Sequence, residues 1–228
     1  MCSNYVPVTR MDRMLGFFGV SLDRQPDEPP PDVYPTGLAP FIRLTTEGTE
    51  GGKPERIVES GHFGLVPHFA KELAYGRRTY NARSETVATK PSFKLAWSRG
   101  QRCIVPSEHI YEPNWEMGKA VRWRISQPMD VPMGIAGIYW TWVDPAGKAH
   151  HTFAMLTVNA DGHPVMSRFH KRDDEKRMVV ILDPSEYEDW LACSVIEAPR
   201  YFRQWMGPLD AIPLPTPQQA QRDQPPLL

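Results

Sequence analysis

The stretches Met133-Gly-Ile-Ala-Gly-Ile-Tyr-Trp-Thr-Trp142 and His151-Thr-Phe-Ala-Met-Leu-Thr-Val158 decide the fold. Both are rich in β-branched and aromatic residues, and Asp144-Pro-Ala-Gly147 between them has the composition of a tight turn. This pattern predicts two antiparallel strands joined as a hairpin. Residues 121–125 (Val-Arg-Trp-Arg-Ile) predict another antiparallel strand just before them. An antiparallel sheet is therefore expected at the centre of the molecule.

Shorter elements are predicted on both sides of this hairpin. Strands are expected at 38–44, 56–58, 102–106 and 178–182, and short helices at 69–75, 92–97 and 184–192. Asp183 has the residue type of an N-cap, with Pro184 at the first helical position. The apolar residues 14–20 suit a short strand or a buried turn. We predict an α+β fold that is predominantly antiparallel β, with a few short peripheral helices.

The chain of 228 residues is long enough for one large domain or two small ones. No repeat or break in composition divides it, so we predict a single domain over 1–212. Residues 213–228 are rich in Pro and Gln and predict a disordered tail. Two internal loops are also expected, a proline-rich acidic one at 23–34 and a glycine-containing hairpin around 48–52.

Overall composition restricts the class of protein. The hydrophobic fraction of 41%, the charged fraction of 23% and the net charge of −1 are typical of a globular protein without a global attraction to nucleic acid. The three cysteines are far apart, which argues against a disulfide framework and for a reducing compartment. There is no long apolar run and no signal-peptide pattern. We expect a soluble, cytoplasmic monomer that does not associate with a membrane.

Several common motifs are absent from the sequence. It has no Walker loop, no GxGxxG segment after a strand and no GxSxG elbow. The seven histidines lack metal-ligand spacing, and the adjacent His150 and His151 would point to opposite faces of a strand. We therefore predict no metal and no cofactor.

Cys2 directly follows the initiator methionine. Removal of Met1 would give Cys2 a free α-amine beside its thiol, and this 1,2-aminothiol can condense with an aldehyde to an imine and then close a thiazolidine ring. The amine titrates at about 7.7–8.0 and the thiol at about 8.5, so both have reactive forms near pH 7. The alternative is a cysteine of no consequence in a frayed terminus.

Three further polar residues stand beside apolar segments. Glu112 follows Ile110-Tyr111 at the end of a predicted strand, where a carboxylate either has a task or lies in water. His170 is either a loop residue or a proton-transfer group. Asn81 alternates with Arg83 and Glu85, which places all three on one face of an extended segment, and that face is either functional or solvated.

Positive charge is concentrated between residues 71 and 102, where eight Lys and Arg residues face only two Glu. The aromatic residues interleaved with them are Phe69, Tyr75, Tyr80, Phe93 and Trp97. Such a stretch suits a phosphate track with stacking platforms for single-stranded nucleic acid, or simply the solvated face of a helix.

Together these segments resemble the SOS response-associated peptidase (SRAP) family, whose members crosslink to abasic sites in DNA. The matching segments, in the family's order, are Met1-Cys2, Phe63-Gly-Leu-Val-Pro67, Asn81-Ala-Arg-Ser-Glu-Thr86, Arg102-Cys-Ile-Val-Pro106 leading to Tyr111-Glu112, and Phe169-His170 followed by Lys176-Arg-Met178. They span the chain from residue 1 to about 190. The resemblance implies a barrel-like fold and a partner, single-stranded DNA that contains abasic sites.

The resemblance also implies a role for each matched residue. Cys2 is the expected nucleophile, Asn81 holds the terminus or the sugar, Glu112 is the general acid/base, and His170 moves protons at the deoxyribose hydroxyl. The expected DNA contacts are Arg83 and Arg177 on phosphates and Phe63 near the lesion.

The sequence departs from the family's pattern beside this machinery. Ser3-Asn4 replaces the usual Gly-Arg, and Pro113 replaces the usual Trp after the glutamate. The leading functional hypothesis is an abasic-site sensor that forms a thiazolidine crosslink through Cys2. A cysteine peptidase acting on its own N-terminus or on peptides, and a non-covalent single-strand-binding module, are the alternatives.

Overall fold

A computed structural model of the protein describes residues 2–20, 29–45 and 54–214. The strands in these ranges are β1 (Asn4–Pro7), β2 (Leu38–Leu44), β3 (Arg56–Phe63), β4 (Asn81–Arg83), β5 (Arg102–Asn114), β6 (Val121–Ser126), β7 (Met133–Val143), β8 (Ala149–Asn159), β9 (Arg177–Val179), β10 (Ile181–Leu182) and β11 (Asp210–Pro213). The α-helices are α1 (Met11–Phe18), α2 (Pro91–Ser98) and α3 (Tyr187–Ala192). Single 3₁₀ turns lie at Leu73–Arg78, Pro128–Asp130, Met166–Arg168, Pro184–Glu186 and Ala198–Tyr201.

The predicted hairpin is confirmed as β7 and β8, which pair antiparallel from Gly137↔Met155 to Val143↔Ala149. Its turn is closed by a hydrogen bond from the Gly147 N–H to the Asp144 carbonyl, 2.9 Å long. Gly147 has a φ of +84°, a conformation that glycine adopts without steric cost.

Five strands close into a barrel in the order β7-β8-β3-β2-β5, because β5 also pairs with β7. All neighbours in this ring are antiparallel except β3 and β8, which meet in a short parallel pairing of His62 with Thr152 and Phe63 with Phe153. Closure leaves these strands without a free edge. The fold is thus the predicted α+β class, a small barrel with extra strands and short helices around it.

The extra strands extend the barrel wall. β1 pairs antiparallel with β5, β6 continues from β5, and β11 continues from β6. β4 and β9 both add to β8. As a result, β1 and β6, which are far apart in sequence, both pair with the carboxyl half of β5.

The Phe63–Pro67 segment turns sharply where it leaves β3. Gly64 has a φ of +123°, and a Cβ placed there would lie 2.2 Å from the carbonyl oxygen of Gly76. Only glycine fits this close approach of two backbones. Gly64 therefore allows the 3₁₀ turn Leu73–Arg78 to pack closely against the barrel.

Some predicted elements are confirmed and others are wrong. The helix expected at 92–97 is α2, and Asp183 forms a capping box with Glu186 ahead of α3. Residues 14–20 are not a strand or turn. Of these, 14–18 belong to α1, where Met14 and Phe18, four residues apart, bury one helical face, and Gly19 caps the end in a left-handed conformation.

Three other boundaries differ from the prediction. The helix expected at 69–75 is instead the later 3₁₀ turn Leu73–Arg78. The strand predicted at 178–182 is divided at Val180, whose N–H bonds to Leu156 on β8 while its carbonyl accepts from Ala136 on β7. Pairing at the C-terminal end continues to Leu214, whose N–H donates to the Arg122 carbonyl.

Parts of the predicted loops fall outside the described residues: 23–28 of the proline-rich loop, the 48–52 hairpin and the tail beyond 214. Within 2–20, 29–45 and 54–214, none of the helices has the length and apolar character needed to cross a membrane.

Candidate active site

Cys2 is brought to the middle of the molecule by β1. The pairing of Asn4 with Tyr111 and Tyr5 with Ile110 runs the chain's beginning antiparallel to β5, towards Glu112. Cys2 is 1% exposed, and its Sγ lies 3.4 Å from the Asn4 carbonyl oxygen. Burial, and next the negative charge of Glu112, raise the pKa of the Cys2 thiol well above its usual range. The sulfur is therefore a neutral thiol near pH 7.

Asn81 fixes the backbone of this cysteine. Its Nδ2 donates a 2.8 Å hydrogen bond to the Cys2 carbonyl oxygen. β4 pairs parallel with β8 through Asn81↔Met155, and strand alternation buries Ala82 in the core while Asn81 and Arg83 share the opposite face. The shared face predicted from sequence is present for these two residues, whereas Glu85 lies beyond the end of the strand.

Glu112 is a buried carboxylic acid beside Cys2. It lies in β5 opposite Trp123 of β6 and is 1% exposed. Burial raises the pKa of Glu112 to about 7. At neutral pH both its protonated and its ionised forms are thus populated, which suits a group that gives and takes protons.

His170 is held against the same strand. Its backbone N–H donates to the Pro113 carbonyl over 3.0 Å, and Phe169 bridges to Asn114. Its φ of +67° is unusual for a residue with a side chain and aims the ring inward. Nε2 lies 3.7 Å from Oε2 of Glu112.

The electrostatics of His170 oppose those of Glu112. Burial lowers the pKa of the imidazole to about 4. His170 is therefore neutral near pH 7, with one ring nitrogen able to donate and the other able to accept. The structure thus brings together Cys2, Asn81, Glu112 and His170, the four residues expected to carry the chemistry.

Tyr80 is a neighbour of Cys2 and Glu112 that the sequence alone did not assign to the site. Its phenol is half-buried, and burial together with the charges of Cys2 and Glu112 raises its pKa, so the hydroxyl stays protonated. The sequence signal was its position directly before the Asn81-Ala82-Arg83 segment.

The DNA contact predicted for Phe63 does not fit its placement. Its side chain is 0% exposed and packs against the rings of Tyr5, Tyr80 and Phe153 at centroid distances of 5.3, 5.7 and 5.7 Å. A ring in the barrel core cannot stack on a base. Phe63 instead packs against the ring of Tyr80.

Arg177 is also turned into the protein, contrary to the predicted phosphate contact. The side chain is 2% exposed, and its guanidinium binds Glu85, Glu175 and the Thr157 carbonyl at 2.7 to 2.9 Å. These partners occupy both Nη groups of Arg177. Arg177 therefore fixes β9 to β8 and to the loop after β4.

Arg83 is the more accessible of the two predicted phosphate ligands. Its side chain is 42% exposed and contacts Glu175, with Nη1 2.7 Å from a carboxylate oxygen.

A cavity of about 350 Å³ opens beside His170 and is lined by Trp115, Glu116, Ser167, Arg168, Arg172 and Lys176. The approach to the site is therefore rich in cations.

The basic stretch of 71–102 is only partly a surface track. Most of its cations are exposed, but Arg102 is buried with its guanidinium 3.8 Å from the centre of the Trp97 ring. Phe93 and Trp97 are 4% and 2% exposed and belong to the core. These two aromatics cannot act as stacking platforms.

Known proteins share this fold and sequence pattern. The profile of the family described as SOS response associated peptidase (SRAP) matches residues 1–214. The abasic site processing protein YoqW of Bacillus subtilis (strain 168) is 27% identical over 221 residues, with 92% of this chain and 88% of the relative covered. The abasic site processing protein HMCES of Mus musculus is 26% identical, with 74% and 55% covered.

Solved structures agree with this similarity. A protein from Bordetella bronchiseptica has a TM-score of 0.83 at 34% identity, with 94% of this chain and all of that chain covered. A protein from Bacteroides thetaiotaomicron has a TM-score of 0.75 at 24% identity and shares the fold.

The small barrel places Cys2, near the start of the chain, beside the amide of Asn81, the carboxyl of Glu112 and the imidazole of His170. The protein belongs to the SOS response associated peptidase (SRAP) family. The named relatives are abasic site processing proteins.

Proposed function

We propose that this protein captures abasic sites in single-stranded DNA as a covalent thiazolidine through Cys2, once Met1 has been removed. The single observation that carries the proposal is the placement of the Cys2 backbone, held by Asn81 at 2.8 Å, beside a buried glutamate whose pKa is about 7. The names of the relatives support abasic DNA as the substrate.

The first bond forms between the α-amine of Cys2 and the aldehyde carbon of the ring-opened sugar. The neutral amine attacks, and the resulting carbinolamine loses water to give an iminium. Glu112 takes a proton from the amine and returns one to the departing hydroxyl, and a pKa near 7 makes both directions accessible. One water molecule leaves in this step.

The second bond closes the ring. The Cys2 thiol adds to the iminium carbon, and its proton passes to the carboxylate of Glu112, whose charge already acts on the sulfur. The product is a neutral five-membered thiazolidine. In this scheme His170, neutral near pH 7, exchanges protons with the sugar hydroxyl that is released when the deoxyribose ring opens.

The raised pKa of the Cys2 thiol favours this chemistry over the cysteine peptidase alternative. A peptidase acting on other peptides needs a thiolate poised near neutral pH, and burial works against one here. In thiazolidine formation the amine reacts first, and the thiol then attacks an activated iminium within the same residue. The non-covalent binding module gives no role to the buried Glu112.

The test is an adduct that survives denaturation. Protein incubated with single-stranded DNA containing one abasic site should give a denaturation-resistant conjugate, and Cys2→Ala should give none. Intact-mass analysis of the purified chain should show that Met1 is absent. Retained Met1, or an undiminished adduct with Cys2→Ala, would overturn the proposal, and salt-sensitive binding without any adduct would favour the non-covalent module.

A further inference from the structure

Glu175 joins two arginines that come from different strands. Its carboxylate oxygens lie 2.7 Å from Nη1 of Arg83 on β4 and 2.8 Å from Nη1 of Arg177 on β9. Glu175 itself lies in the segment between His170 and β9, outside any regular element. The carboxylate of Glu175, which lies in a loop, therefore binds the Arg83 guanidinium, which is exposed to solvent beside the site.

The position of Arg83 gives this contact its interest. Arg83 and Asn81 are on the same face of β4, about 7 Å apart along the strand, and Asn81 holds the Cys2 carbonyl. A nucleic-acid strand attached at Cys2 has to bring a flanking phosphate near this guanidinium. Carboxylate and phosphate oxygens bind arginine with the same charge-assisted geometry.

The two arginines differ in what else binds them. Arg177 is buried and keeps Glu85 and the Thr157 carbonyl even without Glu175. Arg83 is 42% exposed, and Glu175 is 40% exposed. An exposed ion pair of this kind is worth little and exchanges readily. Glu175 therefore binds Arg83 weakly, and another anion can replace it.

We propose that Glu175 is an internal competitor that occupies Arg83 until a phosphate of single-stranded DNA displaces it. The inference rests on the proposed function for the identity of the anion and for the position of the DNA strand beside Cys2. The competitor lowers affinity for undamaged strands, which gain no covalent bond, and costs a lesion-bearing strand little once the crosslink has formed.

The experiment measures equilibrium binding of an undamaged single-stranded oligonucleotide to the full-length Cys2→Ala protein at several salt concentrations. Glu175→Gln should tighten binding about twofold to fivefold at low salt, the value of one exposed ion pair. The slope of log K against log salt should stay that of the Cys2→Ala protein alone, because the same phosphate contacts Arg83 in both proteins once Glu175 is displaced.

The matched control is Asp173→Asn. Asp173 is an exposed carboxylate in the same loop, and the ion pairs found across residues 2–20, 29–45 and 54–214 do not include it. This variant removes the same charge without freeing Arg83. An equal gain in both variants would mean general repulsion and would overturn the proposal.

A second pair of variants separates competition from a structural clasp. In an Arg83→Ala background, Glu175→Gln should give no gain in affinity. Weaker binding by Glu175→Gln alone would also overturn the proposal, since it would mean that Glu175 holds the loop in its binding form. The adduct assay with the Cys2-containing protein is independent, so failure of the crosslink and failure of the competitor are distinguishable.

Discussion

The Nε2 atom of His170 lies 3.7 Å from Oε2 of Glu112, and the two side chains are 8% and 1% exposed. Burial moves their pKa values in opposite directions, to about 4 for His170 and about 7 for Glu112. The usual order of a histidine and a carboxylic acid is therefore reversed. Near pH 7 the carboxyl group is the proton carrier of this pair, and the imidazole stays neutral.

Glu112→Gln should slow thiazolidine formation about a hundredfold, because an amide cannot transfer the proton that general acid/base catalysis requires. The remaining rate should lose the dependence on pH that a pKa near 7 imposes on the wild type. Rapid-quench measurement of the adduct between pH 6 and 8 checks this. Glu108→Gln is the matched control, since Glu108 lies on β5 but pairs with Arg13. Equal slowing of both variants would contradict the role of Glu112.

The same substitution should change stability in a pH-dependent manner. The folded pKa of Glu112 is raised from 4.5 to about 7, so the folded protein binds a proton more readily than the unfolded chain. Ionisation of this group thus costs the wild type about 3 kcal/mol of unfolding free energy as pH rises from below 4.5 to above 7. Relative to wild type, Glu112→Gln should be more stable at pH 8 than at pH 5. Denaturant titrations at both pH values measure the difference, and a constant one would contradict burial of the carboxyl.

Asn81→Ala should slow crosslinking about fivefold to tenfold, since it removes a hydrogen bond worth about 1 kcal/mol that holds the Cys2 carbonyl. The defect should appear in the rate of adduct formation and not in affinity for undamaged DNA. Asn159→Ala, which removes a side chain that bonds to Asp161, should leave the rate unchanged. A wild-type rate in Asn81→Ala would show that this bond does not position Cys2.

Arg177→Ala and Arg83→Ala should separate folding from binding. Arg177 is buried with two carboxylates, so its removal should lower the unfolding free energy by about 3 kcal/mol. Arg83→Ala should change it by less than about 1 kcal/mol and should weaken binding to single-stranded DNA. Thermal unfolding and binding titrations measure the two effects. Unchanged stability of Arg177→Ala would restore Arg177 as a candidate phosphate ligand.

Much of the fold could be predicted because it follows from local pattern. The β7–β8 hairpin is rich in β-branched and aromatic residues and has a turn with glycine where a positive φ is required. Closure of the barrel was implied only by the family resemblance and not by local pattern, since the parallel contact of β3 with β8 rests on two residue pairs far apart in sequence. The sequence pattern did not predict helix α1, because the first turn of the helix contains polar residues that precede the apolar segment 14–20.

The candidate site divides in the same way. Cys2 and Glu112 could be selected because aminothiol chemistry and a carboxylate at a strand end are visible in the sequence. Exposure is not visible there, so Phe63 and Arg177 were assigned to DNA although the barrel buries both. Tyr80 was missed because its nearness to Cys2 depends on long-range pairing. Asn4, which stands where the family has a cation, is 5% exposed and points into the protein.

The most direct measurement of the central claim compares wild type with Cys2→Ser, which keeps the α-amine but lacks the thiol. After incubation with abasic single-stranded DNA and denaturation, intact-mass analysis of the wild type should give the sum of the Met1-free protein and the DNA minus one water. Cys2→Ser should give a conjugate that survives denaturation only when borohydride first reduces its imine, a step that adds two hydrogens to the mass of the imine conjugate. A Cys2→Ser adduct that is stable without reduction, or a wild-type adduct that requires reduction, would contradict a thiazolidine at Cys2.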